Sequence, residues 1–491
     1  MPRSISKTSF LAGYQCHKLL WTKFNDPDAF PGVDPAKQAI FDQGHAIGER
    51  AKSLYPGGVE VGKGVVAYQP VLEETTALLQ RRVPLYEPAF AFEGGYARID
   101  ILVPDGDEAW RLIEVKSGTR VKDENLLDVA FQLRLCRGAG LTITRCSLMH
   151  VNRDYVRQGE IDPSLLLTEE DITEKVTGLL SKIPARLAEL SAVTTRKSCP
   201  AVEIGAHCSK PYSCDLKSQC WAFLPEYPVT DLYRDTKGRK WEFLESGIHS
   251  LAEVPDPETL NAKQQVQVET AVSSSPHVAT TALKNFLKEI EWPLAYFDIE
   301  TTSSAVPLYD RTRPYQQTAF QFSLHVQETK GGPITHHEFL ASGRDDPRPQ
   351  FLERLHSCLP TTGSVVVYNA SFENRCLRDC AAACPEHAWA AKVPDRTVDL
   401  LIPFRNFWFH HRDQHGSCSI KSVLPALTGT GYSHLAIQDG NAAARSFTTA
   451  EFTDLPAAER DQIRHDLLAY CQLDTQAMID LVDALQALTA S

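Results

Sequence analysis

At 491 residues the chain is too long to bury one hydrophobic core, and its length predicts two or three domains. Hydrophobic residues make up 43% of it and charged residues 23%, as in ordinary globular proteins, and no apolar run approaches the about 18 residues of a membrane-spanning helix. The net charge of −12 argues against a protein that coats nucleic acid, but it does not exclude an enzyme whose acidic metal sites are neutralised by bound cations.

The chain divides into three predicted segments. Residues 1–222 end after a cysteine-rich stretch, residues 223–291 are predicted as a helical connector, and in residues 292–491 short strands precede helices, which is an α/β pattern. Within the connector, a predicted helix is expected to end at Gly247.

The N-terminus and the cysteine count indicate a compartment. Residues 1–21 are interrupted by polar and basic side chains, so they are not a signal peptide, and a cytoplasmic protein is expected. Its 13 cysteines are then predicted to be reduced thiols or metal ligands rather than disulfides.

The first acidic group lies on a predicted β-hairpin. Residues 96–103 and 110–116 are predicted as two strands around a turn. Asp100 then lies opposite Glu114, and Lys116 shares a face with Glu114 because side chains alternate along a strand. This grouping suits phosphodiester hydrolysis, since carboxylates hold Mg²⁺ or Mn²⁺ and a lysine helps to orient the attacking water. The alternative is an exposed hairpin with a salt bridge.

The flanking helices supply two more polar side chains. A helix with small residues on one side carries His45, and a helix after the hairpin carries Gln132. With the hairpin, they make residues 1–222 similar to the PD-(D/E)XK nucleases of the RecB type, which include CRISPR-associated exonucleases. The resemblance implies a restriction-endonuclease-like fold. Its functional positions correspond to five residues: the metal ligands His45, Asp100 and Glu114, the catalytic Lys116 and the supporting Gln132. Cys136 departs from the family, which often has a tyrosine there.

Four cysteines are candidate ligands of a metal centre. Cys208, Cys214 and Cys220 have five residues between neighbours, and Cys16 lies near the N-terminus. Three thiols on a short loop with a fourth from elsewhere can bind an iron–sulfur cluster or a structural zinc ion. Two further side chains are rival ligands, Cys199 and His207. The arrangement resembles iron–sulfur RecB-type nucleases, in which a 4Fe–4S cluster joins the two ends of the domain, and this resemblance favours the cluster over zinc.

A second group of cysteines has a simpler interpretation. Cys376, Cys380 and Cys384 are spaced four apart, with His387 nearby, which would allow a metal site. Helical spacing, however, puts the thiols on one stripe, and cysteine is a common buried residue. These thiols are therefore predicted to belong to the hydrophobic core.

The second acidic group is distributed over three predicted elements of the last segment. Residues 294–301 form an apolar strand with alternate carboxylates, a strand at 365–368 leads into a helix, and a helix from about 457 to 488 ends the chain. These elements contribute four acids and a phenol, in chain order Asp298, Glu300, Glu373, Tyr470 and Asp474. If they converge, they suffice for two metal ions that flank an in-line displacement.

Over residues 292–488 this pattern resembles the DEDD 3′–5′ exonucleases, which have an RNase H-like fold of the DnaQ type. The resemblance implies that the four acids bind metal and that Tyr470 positions the attacking water. The tyrosine version applies, because Ala469 stands where the histidine version has its base. Glu373 departs from the motif, which normally has aspartate there; a glutamate can still ligate from a longer arm, and an inactive site is the alternative.

The whole chain resembles a bacterial family of unknown function in which a RecB-like nuclease is fused to a DnaQ-like exonuclease. The resulting hypothesis is a two-site nuclease that uses Mg²⁺ or Mn²⁺ and acts on DNA, rather than RNA, in repair or in defence against foreign DNA. Two alternatives stay open: a nucleic-acid-binding or assembly protein with one or both sites vestigial, and an RNA-processing exonuclease.

A nucleic-acid path on so acidic a chain requires a local basic stripe. Six residues are candidates for it: Arg234, Lys237, Arg239, Lys240, Arg311 and Arg313. The other interpretation of each is a solvated charged surface.

Overall fold

A computed structural model describes residues 4–65 and 67–490 and divides into two compact units. The N-terminal unit comprises the described residues up to Ala222 with Ser304–Tyr315, and the C-terminal unit comprises Phe223–Ser303 with the rest of the described chain. Both units mix helices with β-sheets, which confirms the predicted α/β class. Among the described residues, no helix combines the length and the apolar composition needed to cross a bilayer.

The described part of the N-terminal unit contains nine strands and nine helices. The strands are β1 (Ile5–Ser6), β2 (Val59–Glu60), β3 (Leu85–Tyr86), β4 (Ala89–Phe92), β5 (Gly95–Arg98), β6 (Ile101–Asp105), β7 (Ala109–Lys116), β8 (Thr142–Val151) and β9 (Leu167–Asp171). The helices are α1 (Lys7–Gln15), α2 (His17–Asn25), α3 (Pro35–Ser53), α4 (Tyr68–Leu79), α5 (Asp123–Gly138), α6 (Pro163–Leu166), α7 (Thr173–Thr177), α8 (Ile183–Thr194) and α9 (Lys217–Cys220).

The structure confirms the predicted hairpin. Strands β6 and β7 are antiparallel neighbours in a six-stranded sheet of order β2-β3-β6-β7-β8-β9, with Ile101 opposite Ile113. Because Asp100 directly precedes Ile101 and Glu114 directly follows Ile113, this register brings the two carboxylates together.

The single strand predicted over residues 96–103 is divided in the structure. Strand β5 belongs to a second sheet of order β1-β5-β4, and the chain passes to β6 through Ile99 and Asp100. Ile99 still donates its N–H to the Pro88 carbonyl at 2.9 Å. The Asp100 side chain accepts the Val115 N–H at 2.8 Å, which holds this acid at the change of sheet.

Helix α5 is the central helix of this unit. It connects β7 to the parallel strand β8, and its inner face is buried in the core. Phe131 of α5 stacks on Phe10 of α1 with ring centroids 4.6 Å apart. This packing fixes the start of α1 beside the sheet that carries the predicted acids.

The described part of the C-terminal unit contains nine helices and seven strands. The helices are α10 (Arg239–Glu245), α11 (Ala262–Ser273), α12 (Thr280–Leu287), α13 (Arg348–Cys358), α14 (Ala370–Ala383), α15 (Leu401–Arg405), α16 (Ile420–Thr428), α17 (Gly440–Phe452) and α18 (Ala457–Ala490). The strands are β10 (His277–Val278), β11 (Leu294–Thr302), β12 (Thr318–Gln327), β13 (Ile334–Leu340), β14 (Ser364–Val367), β15 (Thr397–Asp399) and β16 (Phe409–His410).

The main sheet of this unit has the order β13-β12-β11-β14-β15. Its central strand β11 is antiparallel to β12 and parallel to β14. One face packs against a core that includes α16, α17 and α18, and the other packs against α13 and α14. The predicted strand at 294–301 and the long last helix are confirmed as β11 and α18.

The cysteine stripe of α14 is buried in that second core, as predicted. Cys376 and Cys380 are each 2% exposed, and Cys384 caps the helix and is 3% exposed. Burial raises the pKa of the Cys376 and Cys380 thiols, which keeps them protonated and apolar.

Residues 223–291, predicted as a separate connector, belong to the C-terminal unit in the structure. Strand β10 pairs with β16, and the Lys263 ammonium donates to the Arg405 carbonyl. Helix α10 is followed by Gly247 at φ +79°, the left-handed conformation that was expected to end it. The connector is thus tied to the α/β core by backbone pairing and by side-chain contacts.

Candidate functional site

The acids of the N-terminal unit lie in one hydrogen-bonded group. We call it the Glu114 cluster, and it has six members: Lys7, Asp100, Glu114, Lys116, Asp128 and Gln132. Glu114 is fully buried and accepts hydrogen bonds from Lys116, from Gln132 Nε2 at 2.7 Å and from Lys7 Nζ at 3.2 Å. The structure therefore brings Asp100, Glu114, Lys116 and Gln132 together, as the sequence predicted.

Two ammonium groups compensate the charge of this cluster. Lys7 Nζ lies 3.3 Å from Asp100 Oδ1, and Lys116 Nζ lies 2.9 Å from Asp128 Oδ2. Burial opposes ionisation of Glu114, but Lys116 and Lys7 outweigh it and hold the pKa of this carboxyl well below its usual range. Burial and the neighbouring Glu114 raise the pKa of Asp100.

Two members of the cluster were missed by the sequence argument. Asp128 lies one helical turn before Gln132 on α5, and Gln132 Nε2 donates to its Oδ1 at 3.0 Å. That i, i+4 spacing was a readable signal. Lys7 had none, because it reaches the site through the parallel pairing of β1 with β5.

His45, the remaining predicted ligand of this site, lies elsewhere on its helix. Ile47 and Ala51 are the buried residues of α3, and they pack in a core that also includes Ile113 of β7. His45 is exposed and lies about 200° around the helix from Ile47, at about 100° per residue. The structure does not bring it to Asp100 and Glu114.

The four predicted cysteine ligands lie close enough to one another for their charges to interact. Cys16 lies between α1 and α2; burial raises the pKa of its thiol, and the charges of Cys208 and Cys220 raise it further. Burial also raises the pKa of the Cys214 thiol, and the charges of Cys16, Cys208 and Cys220 raise it further. Gln15 also donates to the carbonyls of His207 and Tyr212, each at 2.8 Å, which ties the N-terminal helix to the cysteine loop.

The acids of the C-terminal unit surround a cavity of about 360 Å³. We call them the Asp298 cluster, and it has four members: Asp298, Glu300, Glu373 and Asp474. Oxygen atoms of Asp298, Glu300 and Asp474 all lie within 4.8 Å of one another. Glu373 lines the same cavity from α14, and its Oε2 is buried without a hydrogen-bond partner among the described residues.

Among the described residues, no cation forms an ion pair with the Asp298 cluster, and Lys421 offsets only part of its charge. Burial and the charge of Asp474 raise the pKa of Asp298 to about 8, and burial raises that of Asp474 to about 6. Burial and the neighbouring acids also raise the pKa values of Glu300 and Glu373 well above their usual range. Converging oxygen ligands with raised pKa values are the donor set that Mg²⁺ and Mn²⁺ prefer, so the residues fit such ions.

One lysine lines the cavity, and it hydrogen-bonds to the predicted tyrosine. Lys421 Nζ donates to Tyr470 Oη at 2.8 Å and to the Gln438 carbonyl. Burial and the nearby acids raise the pKa of Tyr470 far above its usual value, so its hydroxyl keeps its proton. With its oxygen accepting from Lys421, the Tyr470 O–H donates to the Asp474 carboxylate, and this hydrogen bond acts against the rise of the Asp474 pKa.

Other side chains hold the acids in place. Tyr432 Oη donates to Asp474 Oδ1 at 2.6 Å, and the Cys471 thiol lies 3.7 Å from Asp298 Oδ2. A Cβ on Gly440, the first residue of α17, would lie 3.3 Å from Glu300 Oε2, so this position favours glycine. Sequence reasoning missed Lys421 and Tyr432, because the 418–440 segment carries no acidic motif and reaches the site only through the tertiary fold.

Comparison with known proteins finds one family model and several uncharacterized relatives. Residues 295–419, which include Asp298, Glu300 and Glu373, match the family model described as "Domain of unknown function (DUF2779)". Uncharacterized proteins of two mycoplasmas are similar to this chain. One of Mycoplasma genitalium is 27% identical over 226 residues, which cover 42% of this chain and 34% of the relative. One of Mycoplasma pneumoniae is 29% identical over 217 residues, which cover 40% of this chain and 32% of the relative.

A third relative, an uncharacterized protein of Ureaplasma parvum, is 25% identical over 210 residues, covering 38% of this chain and 30% of its own length. The match thus spans about a third of each relative.

Proposed function

We propose that the chain is a metal-dependent nuclease whose C-terminal unit acts as an exonuclease of the RNase H-like, DEDD type. The observation that supports this proposal is the convergence of Asp298, Glu300 and Asp474 on one cavity. The sheet order, with a central strand that is antiparallel on one side and parallel on the other, agrees with such a fold. DNA is the proposed substrate.

The residues of the cavity have separate roles in this proposal. Mg²⁺ or Mn²⁺ held by the four acids would polarise the phosphate and lower the pKa of a bound water. Tyr470, oriented by Lys421, would place its hydroxyl beside Asp474 to position the attacking water. Tyr432 holds Asp474 in the orientation needed for ligation.

The Glu114 cluster is proposed as a second nuclease site, of the PD-(D/E)XK type. Lys116 bridges Glu114 and Asp128, and these carboxylates raise the pKa of its ammonium despite burial. The lysine therefore stays protonated and is suited to orient water and to offset negative charge on the phosphate, rather than to accept a proton. Gln132 holds both of the same carboxylates.

The four cysteines are proposed to bind a 4Fe–4S cluster. Sulfur ligands of one zinc ion, bound at about 2.3 Å, lie about 3.8 Å apart. Among the described residues, the group of three or more ligand atoms lying within 4.8 Å of one another contains no cysteine. No three cysteine sulfur atoms of the described chain are therefore as close together as the ligands of one zinc ion, which favours a multi-iron cluster over a single ion. Iron and sulfide analysis tests this; stoichiometric zinc without iron would overturn it.

The nuclease proposal is tested with purified chain, Mn²⁺ or Mg²⁺, and end-labelled single- and double-stranded DNA and RNA. We expect Asp298→Asn to lower cleavage by the C-terminal site, and Lys116→Ala cleavage by the N-terminal site, at least about a hundredfold. The double variant should lose both activities. Asp461→Asn, an exposed acid on α18, is the matched control and should cleave normally. No cleavage of any polymer by the wild type would sink the proposal and favour vestigial sites, and cleavage confined to RNA would favour RNA processing.

A further inference from the structure

A second cavity of about 570 Å³ adjoins the acidic one in the C-terminal unit. We call it the arginine cavity. The two cavities share Tyr368 and Ile420 in their walls, so they are direct neighbours. Arg234, one of the basic residues that the sequence singled out, lines it together with Arg405.

The arginine cavity carries positive charge without an ion pair to any described acid. Among the described residues, neither Arg234 nor Arg405 has a carboxylate oxygen within 4.0 Å, although the chain as a whole carries a net charge of −12. Lys263 lies near them, because it acts on the same thiol as the two arginines. Burial raises the pKa of Cys418, and the charges of Arg234, Lys263 and Arg405 each lower it. Three cations thus surround one half-buried position.

The remaining wall adds groups that suit an anion. Helix α16 begins at Ile420 with Ser419 as its N-cap, so the positive end of a nine-residue helix meets the cavity. Tyr233 also lines the cavity, and the Arg234 guanidinium lies 5.4 Å from the centroid of its buried ring. Guanidinium groups bind phosphate in a bidentate manner.

We propose that the arginine cavity binds a backbone phosphate of the single strand whose scissile phosphate lies at the Asp298 cluster. The proposal rests on the nuclease function proposed above. Each cavity then binds one of two neighbouring phosphates. The carboxylates would bind the scissile phosphate through metal ions, and Arg234 and Arg405 would bind the next phosphate directly. A basic subsite of this kind explains how so acidic a chain would hold a polyanion.

The test compares a substrate that reaches both cavities with one that reaches only the acidic one. The first is a labelled oligothymidylate of about ten nucleotides, a length typical of single-strand sites. The second is the p-nitrophenyl ester of thymidine 5′-monophosphate, which has no second phosphate. For Arg234→Ala/Arg405→Ala, we expect the ratio of kcat/KM for the oligonucleotide to kcat/KM for the ester to fall about tenfold or more, mainly through KM.

Binding gives an independent readout. The slope of log Kd for the oligonucleotide against log salt concentration should become less steep by about 0.7 when this one phosphate contact is lost. Lys330→Ala is the matched control: Lys330 is exposed in the turn between β12 and β13, at the end of the sheet away from Asp298. It should change neither the ratio nor the slope.

The outcomes separate the two proposals. If wild-type protein cleaves both substrates and the double arginine variant keeps the wild-type ratio and slope, the arginine cavity is not a phosphate site, while the nuclease function stands. If wild-type protein cleaves neither substrate, the proposed function fails and this inference fails with it. Arg405→Lys should recover part of the lost affinity if charge is what the cavity supplies.

Discussion

The two units bury their acids in opposite electrostatic settings. In the Glu114 cluster, the ammonium groups of Lys7 and Lys116 bond directly to the carboxylates. In the Asp298 cluster, four carboxylates share a cavity with Lys421, whose ammonium bonds to Tyr470 instead. The acids of one cluster are therefore paired directly with cations, whereas those of the other are only partly offset by Lys421.

This difference predicts different demands for metal. A buried carboxylate needs a partner cation or a proton, since removal of its charge from water costs several kcal/mol. The Glu114 cluster already has cations, and an incoming metal ion must replace Lys7 between Asp100 and Glu114. The Asp298 cluster without metal must hold protons, so metal binding there releases them.

The largest expected effect is a loss of metal-free stability with rising pH. The folded chain keeps a proton on Asp298 up to its pKa of about 8, whereas the unfolded chain releases it near 4. The stability that Asp298 contributes is therefore fully present below about pH 4 and is lost as the pH rises toward about 8. Between about pH 5 and about pH 8 we expect a loss of about 3–4 kcal/mol, measured by urea unfolding in EDTA.

Asp298→Asn supplies the control for this experiment. The amide cannot ionise, so the part of the pH dependence that comes from Asp298 should disappear, and Mn²⁺ should restore less stability to the metal-free protein at the higher pH. The raised pKa values of Asp100 and Asp128 act in the same direction, but they are common to both proteins, so the difference between wild type and Asp298→Asn isolates the Asp298 cluster. Equal stability of the wild type at both pH values would contradict the raised pKa of Asp298.

The second effect concerns the substituted acid. Glu373→Gln removes a ligand charge, and we expect Mn²⁺-dependent cleavage by the C-terminal site to fall about a hundredfold. Glu373→Asp restores the acid that the exonuclease motif normally has, and it should stay within about tenfold of wild type. Cleavage unaffected by Glu373→Gln would show that this buried carboxylate is not a ligand.

Local patterns predicted the frame of both sites, while their electrostatics came from distant parts of the chain. Period-two alternation located Asp298 and Glu300 on β11, and the turn between β6 and β7 set Asp100 against Glu114. Lys7 is separated from Glu114 by 107 positions, and no periodicity reports such a contact.

The segmental predictions show the same limit. Residues 223–291 looked like a connector because their helices and prolines are local features, whereas their attachment depends on β10 pairing with β16 across a large sequence separation. Ser304–Tyr315 likewise belongs to the N-terminal unit, although in the sequence it comes just after β11 of the C-terminal unit. Tertiary pairing of this kind carries no signal in composition.

The third effect measures the value of the internal cations. Lys7→Met leaves Asp100 and Glu114 without one of their two ammonium partners. The free energy of unfolding of the N-terminal unit in EDTA should fall by about 2 kcal/mol. This is less than for a fully buried ion pair, because the Lys7 side chain is 26% exposed. Added Mn²⁺ should recover the loss. Lys421→Met is the matched change in the other unit and should cost about 1 kcal/mol or less, since Lys421 bonds to a neutral phenol. Equal losses for the two variants would remove the proposed contrast.

The smallest effect tests whether the Asp298 cluster is organised for metal by its neighbours. Tyr432→Phe removes the 2.6 Å hydrogen bond to Asp474 without removing the ring, so the carboxylate loses its orientation but keeps its charge. In a Glu114→Gln background, which weakens the other site, the Kd for Mn²⁺ should rise about tenfold, as for other residues that support metal ligands. Tyr227→Phe is the control, because Tyr227 makes a similar 2.7 Å bond to Asp413 on the surface of the same unit. If both variants bind Mn²⁺ as the parent does, Tyr432 only packs against the site, and the acids are positioned by β11 and α18 alone.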